Sequence, residues 1–140
     1  MLSTSDSTVL PRWQVNTGRV LSGLLILFMI FDGGIKLLPI QPVTETLTAL
    51  GYPADPGFAR GLGVLTLACT LLYALPRTGM LGAILLTALF GGAIATHLRV
   101  GSPVFSHLLF GVYLGLMLWG GLYLRHQALR NLIPLRRGSA

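Results

Sequence analysis

The sequence predicts an all-α membrane protein: an antiparallel four-transmembrane-helix bundle with a short amphipathic helix between the first and second spans. The first observation is composition. Of the 140 residues, 53% are hydrophobic and only 10% are charged, whereas a soluble domain carries about 25% charged residues. The second is a set of four apolar segments, each close to the roughly 20 residues that a helix needs to cross a bilayer. The third is the shortness of the links between the last three segments, which makes consecutive helices antiparallel neighbours.

Prolines mark the ends of the four predicted spans. Pro39 follows the first span and Pro76 follows the second, where each ends a helix. Pro103 suits the first turn of the fourth span, because its missing N–H has no partner at that position anyway. We expect the spans at residues 18–38, 58–75, 79–98 and 103–124.

The long connection after the first span contains the segment QPVTETLTALGYP, which predicts a short amphipathic helix. Val43, Leu47 and Leu50 recur at the spacing of one helix face. Gly51, followed by Pro53, provides a stop signal. We expect this helix to lie over the mouth of the bundle or in the membrane interface. The alternative is a plain surface loop.

The composition of the chain ends predicts two tails around the membrane domain. Residues 1–11 are rich in Ser and Thr and are expected to be disordered. Residues 12–127 form the four-helix transmembrane domain, and residues 128–140 form a basic cytoplasmic tail that contacts lipid head groups. The first apolar run lacks a small-residue cleavage site, which favours a retained helix over a signal peptide.

The distribution of cations predicts the orientation. Short loops on the cytoplasmic side carry an excess of Lys and Arg. If the N-terminus is inside, the inner cations are Arg12, Arg19, Arg77, Arg125, Arg130, Arg136 and Arg137, and the outer ones are Lys36, Arg60 and Arg99. This excess predicts that both termini are cytoplasmic.

Small residues at regular intervals predict where the helices approach one another, because close helix packing in lipid relies on such residues. The third span carries the longest series: Gly79, Ala83, Thr87, Gly91 and Ala95. Shorter series occur in the first span (Gly18, Ser22), the second (Gly63, Thr66, Thr70) and the fourth (Gly111, Gly115). We interpret all of them as packing positions.

Polar side chains near membrane depth are predicted to gather at the outer end of the bundle. The set is Asp32, Lys36, Arg60, His97, Arg99 and His107. A lone Asp in a transmembrane helix costs about 2.5–3.5 kcal/mol on insertion scales, so Asp32 is expected to pair with Lys36, with Arg60 or with a histidine. His107 should share a face with Gly111 and point at a neighbouring helix. Two interpretations stay open: an ion pair that fixes helix register, and a polar pocket that binds a ligand or moves protons.

Several site classes have no support in the sequence. Cys69 is the single cysteine, so neither an intramolecular disulfide nor a CxxC exchange motif exists. The three histidines show no recognisable metal-ligand spacing, and we expect no metal site. The chain offers no basic, solvated face of a folded domain, so we expect no nucleic acid as a partner.

Four groups of residues resemble a known family. They are the end of the first span (Gly33, Gly34, Lys36), the LGYP segment (Leu50 to Pro53), the Pro76-Arg77-Thr78 turn with Gly82 and Ala83, and Ala95-Thr96-His97 with Arg99. With these motifs, residues 18–135 resemble the DoxX-like family of small bacterial integral membrane proteins.

The resemblance implies a four-helix bundle in the bacterial inner (cytoplasmic) membrane and does not imply one reaction. Some relatives are subunits of thiosulfate:quinone oxidoreductase systems, and others accompany redox-stress or methylamine-oxidation components. Many relatives carry a glutamate early in the second helix, where this chain reads GLGVLTLAC. A role that rests on that glutamate is not carried over, and Asp32 is the candidate to supply its charge.

Two functions from different classes follow. The first is an accessory subunit, or a binding module for a quinone or lipid, that serves a membrane-associated redox system. The alternative is a membrane-embedded enzyme doing acid–base or redox chemistry on an apolar substrate, although its catalytic residues are unknown. We expect a cavity at the outer mouth, beneath the amphipathic helix, where Gly91, Gly92, Ala95 and Gly111 leave room. We expect the protein to be surrounded by the lipid bilayer and to carry no covalent cofactor, and a quinone is the candidate ligand. A redox-enzyme partner subunit and a homo-oligomer both stay open.

Overall fold

The computed structural model describes residues 9–38 and 40–133. The helices are α1 (Arg12–Leu37), α2 (Gln41–Ala49), α3 (Pro56–Ala74), α4 (Gly79–Arg99), α5 (Phe110–Arg125) and α6 (Gln127–Leu132), and a π-helical turn (Val104–Leu108) precedes α5. The predicted disordered tail lies mostly outside the described residues, as do Arg136, Arg137 and the end of the basic tail.

Four of these segments are long and apolar enough to cross a membrane: α1, α3, α4, and the π turn with α5. In the bundle α1 packs against α3 and α5, and α4 packs against the same two helices on the opposite side. Each of these pairs is antiparallel, so the predicted fold class of an antiparallel four-helix membrane bundle is confirmed. We call the end of the bundle beneath α2 the α2 end. The opposite end, where α1 begins and α5 finishes, is the termini end.

Local sequence explains where the spans depart from their predicted bounds. α1 begins at Arg12 rather than at Gly18, because the Pro11 carbonyl accepts from the Gln14 and Val15 amides at 3.0 and 3.3 Å. The fourth span does not begin as an α-helix after Pro103. Its first turn is wider, since the Leu109 amide donates to the Val104 carbonyl at 2.9 Å.

The π turn changes which residues share a face of the fourth span. A π turn holds more residues than an α turn, so it shifts His107 out of register with the glycines that follow. His107 is exposed, whereas Gly111 is buried against Ile94 of α4. The prediction that His107 and Gly111 share a packed face was therefore wrong, although the His107 ring still lies 5.7 Å from that of His97 on α4.

Glycines place α1 close to its two neighbours at opposite ends. Near the α2 end, Gly33 lies against Gly63 of α3, where a β-carbon on Gly63 would meet the Gly33 carbonyl oxygen at 2.8 Å. Near the termini end, Gly18 lies against Gly121 of α5, with a corresponding distance of 2.8 Å. These contacts agree with the predicted packing positions Gly18 and Gly63, and they allow the backbones to approach closely.

The last two members of the small-residue series of α4 are not used for packing. Gly79 and Ala83 are buried, and Thr87 is exposed but accepts a hydrogen bond from Trp119 of α5 at 2.9 Å, whereas Gly91 and Ala95 are exposed. A strict four-residue repeat drifts around a helix that has 3.6 residues per turn, so the later members leave the packed face. The prediction that all five pack was wrong, and Gly82, which is outside the series, lies directly against the Tyr73 backbone of α3.

The chain after α5 folds back under the bundle. Leu129 of α6 is 4% exposed and belongs to the main core with Leu25, Leu86 and Leu118. Arg130 donates to the Tyr123 carbonyl at 2.8 Å and to the Gln14 side chain at 2.7 Å. This part of the predicted basic tail therefore binds the protein itself.

Candidate functional site

The bundle contains a cavity of about 770 Å³ beneath α2, with walls from all four spanning helices. Its walls are mostly apolar, with Met29, Leu62, Leu89 and Leu114 among the lining residues. Gly111 and Gly92 line it, as expected, but Gly91 and Ala95 do not. The cavity therefore lies at the predicted end of the bundle, and two of its four expected small residues contribute to it.

The cover of the cavity is α2, whose helix follows from its sequence pattern. Pro42 lies in the first turn, and Val43 and Leu47 are buried on the face toward the bundle. Gly51 ends the segment with a φ of +83°, a conformation that costs glycine little. The predicted amphipathic helix is therefore confirmed, and the alternative of a plain loop is wrong.

Tyr52 anchors the cover to two spanning helices. Its ring stacks on Phe58 at the start of α3, with the centroids 5.0 Å apart. Its hydroxyl lies 2.8 Å from Thr96 Oγ1 near the end of α4. Arg99 adds a further tie, since its Nη2 donates to the Leu50 carbonyl at 2.9 Å. These contacts hold the α2 segment across the gap between α3 and α4.

An ion pair lines the cavity at its α2 end. Lys36 Nζ bonds the Asp32 carboxylate one helical turn earlier on α1, and both side chains are half-buried. Of the partners expected for Asp32, the structure therefore shows Lys36. The stem of Lys36 packs over Gly63, where a β-carbon would lie 3.1 Å from the Lys36 Cβ. The pair is thus held against α3 and faces the cavity.

His97 is the third residue of the expected set that lines the cavity. Its Nδ1 lies 2.9 Å from Ser102 Oγ, and Nε2 has no partner among the described residues. Its ring meets that of His107 in an edge-to-face arrangement, with the centroids 5.7 Å apart. His107 lies outside the cavity, and its Nδ1 lies 2.7 Å from Ser106 Oγ. His97 therefore lines the cavity and also contacts the exposed His107.

The remaining members of the expected set lie elsewhere. Arg60 is exposed and does not line the cavity, although it lies in the first turns of α3. Arg99 is engaged by the Leu50 carbonyl. Asp32, Lys36 and His97 therefore line the same cavity, whereas Arg60, Arg99 and His107 do not line it.

Sequence reasoning missed the uncharged polar groups of the cavity. Tyr52, Thr46, Thr66 and Thr96 all line it. Helical spacing within one segment could not identify the role of Tyr52, because its partners Phe58 and Thr96 belong to two other helices. The LGYP segment itself was the available signal, since it places an aromatic hydroxyl directly after the cover helix.

A family model for the DoxX-like family matches residues 20–121. The chain belongs to the DoxX-like family. The matched range includes every residue that lines the cavity of this DoxX-like protein. No curated protein and no solved structure matches the chain.

The DoxX-like bundle also has a buried polar network at its termini end, which the sequence analysis did not find. The Tyr73 hydroxyl on α3 lies 2.7 Å from Ser22 Oγ of α1 and donates to the Leu118 carbonyl of α5 at 2.9 Å. Arg125 donates to the same Ser22 Oγ at 2.9 Å. Hydrogen bonds thereby connect three helices, and Arg125 takes part in them.

Proposed function

We propose that this DoxX-like membrane protein binds a small amphipathic molecule, a quinone or lipid, and serves a membrane-associated redox system as an accessory subunit. One observation carries the proposal: a cavity of about 770 Å³ with apolar walls and the Asp32, Lys36 and His97 side chains at its α2 end. Ligand pockets of roughly 300–1,000 Å³ combine apolar walls with a few polar groups that orient the ligand.

The polar groups suit a head group that accepts hydrogen bonds. Lys36 has three N–H donors, and the structure assigns a bond to Asp32 for one of them. His97 Nε2 has no described partner and donates in the tautomer that carries its proton there. A quinone head offers carbonyl oxygens to such donors, and its hydrocarbon tail suits the leucine-rich walls.

Direct binding to the purified protein tests this proposal. A short-chain ubiquinone analogue is titrated into the protein in detergent and followed by calorimetry. In parallel, the alkylation rate of Cys69 is measured, because this single cysteine lines the cavity. We expect saturable binding and slower alkylation of Cys69 in the presence of the quinone.

The two histidines provide a matched pair of variants. His97→Ala should weaken binding by about 1–3 kcal/mol if His97 bonds the buried head group, whereas His107→Ala should change it little, because His107 lies outside the cavity. Absence of saturable binding by the parent protein would contradict the proposed function. Equal binding by the parent and His97→Ala would remove His97 from the site.

We further propose that the protein lies in the bacterial inner membrane with both termini in the cytoplasm, as the distribution of cations supports. Single cysteines in a Cys69→Ser background test the orientation. Ala54→Cys, in the exposed segment between α2 and α3, should react with an impermeant thiol reagent in whole cells. Ala128→Cys on α6 should react only after the cells are opened, and the reverse pattern would invert the orientation.

A further inference from the structure

One side of the cavity faces the gap between α3 and α4. The lining residues of α4 include Leu85, Leu89 and Thr96, which follow one flank of the helix. The opposite flank of α4 faces α5, because Thr87 accepts a hydrogen bond from Trp119 and Ile94 packs against Gly111. The cavity flank of α4 is therefore the one turned toward α3.

The same division holds for α3. Gly63 is on the flank that contacts Gly33 of α1. Leu62, Leu65 and Cys69 lie on the other flank and line the cavity. Two helix flanks that face each other across a cavity leave a slot between them unless side chains fill it.

The slot is open near the middle of the helices. Leu65 of α3 and Leu85 of α4 line the cavity and are nevertheless 49% and 38% exposed. Ala88 and Gly92 are also exposed lining residues, and a β-carbon on Gly92 would meet no atom within 4 Å. These residues form what we call the lateral window: Leu65, Leu85, Ala88, Gly92 and Ala93.

Contacts close the slot above and below the lateral window. Toward the termini end, Gly82 lies directly against the Tyr73 backbone. Toward the α2 end, Tyr52 bridges Phe58 and Thr96. The opening between α3 and α4 is thus limited to the central part of these two membrane-spanning helices. At this depth the surroundings of a membrane protein are hydrocarbon chains.

We propose that the ligand enters the cavity sideways from the bilayer through the lateral window, and that it is an amphiphile with a long hydrocarbon tail. Its head group lies beside Lys36 and His97, and its tail leaves through the lateral window into the acyl chains. The inference rests on the proposed binding function and narrows it to membrane-resident ligands. The arrangement of the walls supports it, because the polar groups lie at the α2 end and the window is lined by apolar side chains.

The access route is tested without a ligand. Cys69 lines the cavity and is only 5% exposed, so its alkylation reports which reagents reach the interior. In proteoliposomes, a maleimide with a long alkyl chain should label Cys69 faster than a water-soluble maleimide. Ala88→Phe should slow the lipophilic reagent at least tenfold, because the added ring lies at the window. Ala68→Phe is the matched control, since Ala68 is exposed on α3 but does not line the cavity.

The ligand class is tested with the same variants. A quinone with a long isoprenoid tail should bind Ala88→Phe at least tenfold more weakly than the parent, while a quinone without a tail should bind both equally. Equal rates of Cys69 labelling by the lipophilic maleimide in the parent and in Ala88→Phe would overturn lateral entry. If no quinone binds, the proposed function fails, while the labelling rates still decide the route.

Discussion

Gly82→Ala should destabilise the bundle, although the same change usually favours a helix. The β-carbon would lie 2.5 Å from Tyr73 Cα and 2.6 Å from the Leu72 carbonyl carbon, and ordinary contact begins at 3.4 Å. The opposing atoms are backbone, so no side chain can rotate away. The Tyr73 nitrogen would lie closer still, so the two helices have to separate by more than about 0.9 Å. This separation loosens the contacts around the crossing.

The magnitude follows from two opposing terms. Forcing an extra carbon into a packed contact costs about 1–3 kcal/mol, and the loss of a glycine from a helix interior returns up to about 1 kcal/mol in water. We therefore expect a net destabilisation of about 1–2 kcal/mol. Gly91→Ala on the same helix is the matched control, because its β-carbon would meet no atom within 4 Å. That variant should be as stable as the parent, or up to about 1 kcal/mol more stable.

Reversible unfolding in mixed micelles with increasing SDS, followed by circular dichroism, measures both variants. The difference between them should reach about 2 kcal/mol. Equal stability of Gly82→Ala and Gly91→Ala would refute the backbone contact between α3 and α4 and, with it, the closure of the slot at the termini end. Because the forced separation also widens the slot, Gly82→Ala should speed the labelling of Cys69 by the lipophilic maleimide.

Three further predictions concern charged and polar groups. Asp32→Asn and Lys36→Met should each lower thermal stability in detergent. The double variant should lose less stability than the sum of the two single losses, because neither charge is then left unpaired. Additive losses would show that the two side chains do not interact. Tyr73→Phe removes hydrogen bonds of 2.7 and 2.9 Å to Ser22 and Leu118, and it should lower the free energy of SDS unfolding by about 1–2 kcal/mol. Tyr113→Phe is the control, because Tyr113 is exposed and its change should have no effect. Equal effects of the two variants would argue against the network. Burial and then the Arg125 guanidinium lower the pKa of His126 below its usual 6.5, so its contribution to stability is present above pH 6.5 and decreases as the pH falls toward the folded-state pKa. The free energy of unfolding of His126→Gln should therefore depend less on pH over this range. An unchanged pH dependence would contradict the lowered pKa.

Local chemistry alone predicted the four spans and α2, although not the π turn or α6. Apolar length, proline positions and the Gly51 stop identify the four spans and α2, because each depends only on neighbours in the chain. The pairing of Asp32 with Lys36 is of the same kind, since the two lie one turn apart on one helix. The position of the polar set along the bundle also follows from the sequence, because antiparallel helices return residues of similar depth to the same end.

The tertiary structure decided which of those residues meet. Sequence spacing gives the depth of Arg60 and His107 but not the rotation of their helices, and rotation excludes both from the cavity. A single π turn was enough to move His107 off the face of Gly111. The partners of Tyr52 and Tyr73 lie on other helices, so no periodicity within one helix could reveal the cover's anchor or the network at the termini end. The lateral window likewise depends on the separation of α3 and α4. This separation is set by the backbone contact at Gly82 and by the contacts of Tyr52 with Phe58 and Thr96. The distance between two helices is defined only once they have packed, so the sequence alone could not give it.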